Sequence, residues 1–205
     1  YIGSLAIPSV EALAVDGDDL LVGGYFTRAG LVPANHIARW NGSEWFALGV
    51  GVDRGVAAIQ PSGDQLYVGG LFDLAGGEVA NGVARWDGER WESLGSGRGN
   101  DLDGEVRALA LSGAGLFAGG NFRTAGDQPS NFVARWNGSR WNALGAGPDN
   151  GLNGPANALA ASGSDLYVGG VFNQAGGQRA KAVARWDGSL WHPLGSGSNG
   201  VGLPS

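Results

Sequence analysis

Three sets of side chains in this sequence have the chemistry to bind something. Arg39, Arg85, Arg135 and Arg185 recur at fixed spacing, and four guanidinium groups on one ring would converge on an anionic ligand. Eight tryptophans recur in two sets, and the second set, Trp45, Trp91, Trp141 and Trp191, offers flat aromatic faces of the kind that stack on sugar rings. Asn100 to Glu105 carries alternating oxygens with a glycine for the turn, so Asp101, Asp103 and Glu105 are candidate calcium ligands. That loop lacks the later bidentate glutamate of a complete calcium loop. Its counterparts Asp149-Asn150-Gly151-Leu152-Asn153 and Ser198-Asn199-Gly200 are progressively less acidic.

Each set also has a plainer reading. Arginine beside tryptophan on a strand stacks on aromatic rings and donates to carbonyls, and no acid recurs at a fixed offset to pair with it. Large aromatics at strict repeat positions are the usual material of a core, with the second tryptophan set expected to be the more exposed. The acidic loop reads as a polar turn. Catalytic groups are sparse: His36 and His192 occupy unmatched positions, no nucleophile pattern surrounds either, and no carboxylate pair stands out. The chain is expected not to be an enzyme and to need no cofactor other than a candidate calcium ion.

Composition narrows the field. With 19 acidic and 13 basic residues the net charge is −6, without the clustered positive face of a nucleic-acid groove. Apolar runs stop well short of the ~18 residues that would suggest a membrane helix. Cysteine is absent, which excludes disulfides and thiolate metal sites, and a chain starting at Tyr1 with no methionine reads as a piece of something longer. Forty glycines without a Gly-X-Y period, in a chain that is 43% hydrophobic, indicate tight turns between short strands rather than collagen or linker.

Those turns belong to a repeat. Gly-Gly recurs at 23–24, 69–70, 119–120 and 169–170, each with Phe two residues on (Phe26, Phe72, Phe122, Phe172), and Arg-Trp recurs at 39–40, 85–86, 135–136 and 185–186. The spacings of 46, 50 and 50 residues define units 10–55, 56–105, 106–155 and 156–205 within one domain, 1–205. In each unit two β-rich runs are joined by Asn-Gly or Asp-Gly, which reads as a type I′ hairpin. Upstream, Val106, Ala108 and Ala110 alternate with Arg107, Leu109 and Leu111 as on a half-buried strand. Each unit is therefore predicted to be a four-stranded antiparallel meander, with essentially no helix anywhere. A sheet with two partly apolar faces buries them by stacking radially on its copies. The predicted fold is an all-β propeller of four four-stranded antiparallel blades.

The run Leu166-Tyr167-Val168-Gly169-Gly170 with Trp191 downstream resembles the kelch repeat. The fuller pattern, Val168-Gly169-Gly170-Val171-Phe172, Ala175-Gly176-Gly177, Val183 to Gly188 and Trp191 to Gly195, is similar to the propeller repeats of fungal cortical polarity markers and of bacterial cell-surface or secreted proteins. The resemblance covers residue 10 to about residue 200. It implies a secreted or cell-surface, non-catalytic binding or structural module, and it transfers no catalytic residues. The alternative is a lectin with sites repeated between blades, and an enzyme of the glycosidase or lyase kind is the weakest reading. The partner, protein or glycan, is left open. Kelch rings usually hold about six blades. Four blades closing on themselves, as a monomer, is the simpler expectation; the alternative is part of a larger ring or one built by a homodimer. Residues 1–9 read as a closing strand or the remnant of a preceding blade. Sites between blades would use residues that vary among copies, after each Gly-Gly-x-Phe: Thr27-Arg28, Asp73-Leu74, Arg123-Thr124 and Asn173-Gln174. Asn41-Gly42-Ser43 and Asn137-Gly138-Ser139 match the N-glycosylation pattern, although turn chemistry explains both asparagines.

Overall fold

A computed structural model describes residues 7–95, 102–126 and 128–194. Four antiparallel sheets of four strands follow one another along the chain, and within each sheet spatial order equals sequence order. The first blade comprises Ser9–Asp16, Asp19–Tyr25, Ile37–Trp40 and Trp45–Ala47. The second comprises Val56–Ser62, Gln65–Gly70, Val83–Trp86 and Trp91–Ser93. Glu105–Ser112, Gly115–Asn121, Val133–Trp136 and Trp141–Ala143 form the third, and Ala156–Ser162, Asp165–Gly170, Val183–Trp186 and Trp191–Pro193 the fourth. The first strand of each blade packs against the first strand of the next, so these are the inner strands of an all-β propeller with four blades. Among the described residues helix is confined to a single 3-10 turn, Gly147–Asp149.

The Gly-Gly pair explains how sheets stack so closely. A Cβ on Gly70 would lie 2.1 Å from the Gly55 carbonyl oxygen, and on Gly120 it would lie 2.0 Å from that of Glu105, so the second glycine lets its own blade's inner strand approach. The first glycine faces the neighbour: a Cβ on Gly23 would lie 2.6 Å from Val56 Cγ1, and one on Gly69 would lie 2.6 Å from Val106 Cγ1. One residue thus shapes the blade and the other the junction.

Opposite each Gly-Gly pair the inner strand bulges, with the register shifting between Val10/Ala12, Val56/Ala58, Val106/Ala108 and Ala156/Ala158. The bulge corrects the simple alternation predicted for this strand. An extra residue at Arg107 reverses the phase, so Val106 and Leu109 both reach Gly69 of the preceding blade while Ala110 joins the core shared with the following one. Three such cores lie between successive blades.

Two turns also differ from expectation. The Asn-Gly and Asp-Gly hairpins have Gly42, Gly88, Gly138 and Gly188 at positive φ (94° to 101°), but the preceding Asn or Asp is not at positive φ. Glycine occupies the first central position, the pattern of a II′ turn rather than I′. The acidic or amide side chain sits at the corner and caps instead: Asn41 Oδ1 accepts from the amides of Ser43 and Glu44, as Asp87 Oδ1 does from Glu89 and Arg90. The segment after Gly-Gly-x-Phe, read from sequence as a loop, closes into a miniature hairpin such as Thr124–Ala125 with Gln128–Pro129.

Candidate functional site

The second tryptophan set lies inside the molecule. Trp91, Trp141 and Trp191 are buried, and their indole Nε1 groups donate to the carbonyls of Leu48, Leu94 and Leu144, each in the preceding blade, at 2.8 to 2.9 Å. This reverses the expected order of exposure. Each partner on the adjacent strand packs obliquely against it, with ring centroids 5.3 to 5.6 Å apart, and of these Trp86 and Trp136 are only partly buried. An indole held by a neighbouring carbonyl in a closed junction has no free face for a sugar ring. Trp45, in the first blade, is half-buried.

Three of the four repeated arginines are taken up in pairing. Arg39 lies 3.3 Å from Asp19 and Arg185 lies 3.0 Å from Asp165, both acids 20 residues upstream on the adjacent strand. The sequence therefore does carry an acid at fixed offset in two of the four units, contrary to the expectation that none recurs. Arg85 instead pairs with Glu92 across to the outer strand, and Arg39 also covers the Phe46 ring at 5.2 Å.

Of the calcium candidates, Asp101 lies outside the described residues. Asp103 Oδ1 accepts from the backbone amides of Arg123 and Thr124 at 2.7 and 2.8 Å, and Glu105 pairs with Arg107. Asp53 and Asn153 make the same two bonds in their own blades, to the amides of 73–74 and 173–174. Among the described residues no three His, Asp or Glu side chains are grouped closely enough to share an ion. The histidines are apart: His36 Nδ1 meets the Gly24 carbonyl, and His192 Nε2 meets Asp187 in an outer turn at 2.6 Å.

What the capping residues do build is a cleft. Between blades two and three a space of about 490 Å³ is lined by Leu71, Phe72, Asp73, Gly82, Asp103 and Thr124, among others. A counterpart of about 520 Å³ in blade four is lined by Val171, Phe172, Asn173, Lys181, Ala182 and Asn153. Asp73, Thr124 and Asn173 belong to the variable pairs singled out from sequence. The floor is held rigidly by one repeated backbone position, His36, Gly82, Phe132 and Ala182. All four have positive φ, the amide of each donates to the Phe ten residues back, and the carbonyl of each accepts from the second glycine of the pair. Three of the four carry a side chain despite the cost of that conformation, so the main-chain bonds on both sides over-determine it.

A second polar group was not legible beforehand. Tyr25 lies against Gly55, and its hydroxyl pKa is raised, chiefly by desolvation and then by the charges of Glu11 and Glu105, with Arg54 opposing. Glu11 and Arg107 are bulge residues, and so is Asn157, whose Oδ1 accepts from Arg107 across the junction of blades three and four at 3.0 Å. The bulge, visible only once Gly-Gly is paired with the inner strand, gathers them.

None of the curated proteins matches the chain. Solved structures to which it is similar include the computationally designed Ika4 protein, at 17% identity and a TM-score of 0.47, over 78% of this chain and 84% of that one. The designed Ika8 protein is 15% identical with a TM-score of 0.43, over 90% of this chain and 61% of that one. The family described as the Rax2 C-terminal beta propeller domain matches residues 48–201, well over half of the sequence. With four repeat units, four four-stranded blades and that match, the chain belongs to the Rax2 C-terminal beta propeller family.

Proposed function

We propose that this propeller is a non-catalytic binding module displayed outside the cell, and that it takes a protein or glycan segment in the clefts between blades two and three and on blade four. The observation that carries the reading is the contrast inside those clefts. Their floor repeats, through Phe72 and Phe172 and the positive-φ position, while their rims differ: Leu71, Asp73 and Thr124 at one, Val171, Asn173 and Lys181 at the other. A fixed backbone with variable, partly exposed side chains is how scaffolds carry binding sites. Extracellular display is supported by the resemblance to surface and secreted propeller repeats. The lectin alternative moves with the tryptophans. A sugar would sit in these clefts and bond to their polar rims, rather than stack on Trp91, Trp141 or Trp191.

The test is a screen of the 205-residue chain on a broad glycan array and a peptide library, repeated with Leu71→Arg and Val171→Arg, both at exposed positions. Binding that both variants weaken, with melting unchanged, supports the cleft. Binding that neither variant alters, or none on either library, overturns it.

A further inference from the structure

The three internal junctions have the same parts. A Val or Ala and a Leu or Ile from the later blade lie over the first glycine of the earlier one, and a Trp indole reaches back to a Leu carbonyl. Two half-junctions of that kind stand unmatched at the ends. In blade one, Val10 and Leu13 hold the places of Val56 and Ile59, and they are 57% and 63% exposed, whereas Val56 and Val106 are fully buried. In blade four, Tyr167 stands where Phe117 is 1% exposed, yet is itself 36% exposed. A Cβ on Gly169 would meet only Ala158 and the Ala182 carbonyl, at 3.8 and 3.9 Å, with no later blade above it. Among the described residues the inner strands of blades four and one lack the packing that joins every other neighbouring pair.

We infer that two copies of this chain join head to tail, the open face of blade four on each receiving blade one of the other, in a single eight-blade ring. The complementarity is that of an interface already made three times within the chain. Leu13 and Val10 of one copy cover Gly169 of the other, and the half-buried Trp45 meets the Leu194 carbonyl as Trp191 meets that of Leu144. Head-to-tail contacts close into a ring when the rotation allows. Eight blades is within the usual range of about four to eight for propellers, and three copies would exceed it.

Light scattering of the 205-residue chain at micromolar concentration reads the outcome. The expected mass is twice the 20.8 kDa of one chain. Gly169→Val fits the open face of a lone chain but would collide with a docked blade, and Leu13→Asp places a charge in the same junction. Each is expected to return the mass to one chain while the far-ultraviolet circular dichroism stays unchanged. Gly119→Val, at an internal junction, is expected to damage the fold instead. A single-chain mass for the parent, whether the ring closes on itself or its own termini cover the faces, overturns the inference. So does an open-ended polymer, or a dimer that survives both variants.

Discussion

The indole Nε1 of Trp141 donates to the carbonyl of Leu94 at 2.9 Å, joining blade three to blade two through groups that are both buried. Trp141→Phe keeps the aromatic bulk and leaves that carbonyl unpaired, which costs about 1 to 3 kcal/mol. Trp141→Ala adds a cavity and is expected to cost about 3 to 5 kcal/mol. Urea unfolding of both variants gives the ranking, and a Trp141→Phe variant as stable as the parent would mean that the bond contributes nothing.

Gly70→Ala is expected to be among the most damaging single substitutions in the chain. The new methyl would overlap a backbone oxygen, which no side-chain rotation relieves. Gly63→Ala, in open space at φ 58°, meets only the conformational penalty of about 1 kcal/mol. Thermal melts of the pair separate collision from backbone preference.

Asp103→Asn should leave stability nearly unchanged, because Asn153 makes the same two bonds in blade four. Asp103→Ala loses both and is expected to cost about 1 to 2 kcal/mol, as loss of a helix cap does. Melting with calcium and with chelator completes the measurement. A loss in Asp103→Asn seen only when calcium is present would assign the carboxylate to an ion.

Asp187 governs part of the acid response. The Leu190 amide, then His192, hold its carboxyl down at about 2, against an ordinary value of 3.8. A carboxyl whose pKa is lowered by folding stabilises the native state above its unfolded value, and that contribution disappears as pH falls from near 4 toward 2. Asp87 is shifted the same way by the amides of Arg90 and Glu89. Asp187→Asn preserves the turn, as Asn137 does in blade three, and should flatten the loss of melting temperature over that interval. An unaltered acid profile would exclude this pair as a contributor.

The repeat was legible because a blade needs particular residues at particular places. Gly-Gly, the paired Trp and the corner Asn or Asp each answer a demand of close packing or turn capping, and their periods marked the sheets and the hairpins. The turn type was misread because Asn-Gly scores alike whether Asn takes positive φ or caps from the corner. The order of tryptophan burial was misread because outer strands of a blade are exposed in isolation, and only the neighbouring blade's Leu carbonyl brings Trp91, Trp141 and Trp191 inside. The variable residues of the clefts were legible, since Asp73, Thr124 and Asn173 differ against a fixed frame. The cluster around Tyr25 was not, because it depends on a bulge that alternation alone does not disclose.

All three indole bonds run from a later blade to an earlier one. A ribosome making this chain would therefore release each acceptor carbonyl before the tryptophan that needs it. Every blade after the first emerges to find its template finished, so assembly of the four can proceed in the direction of synthesis.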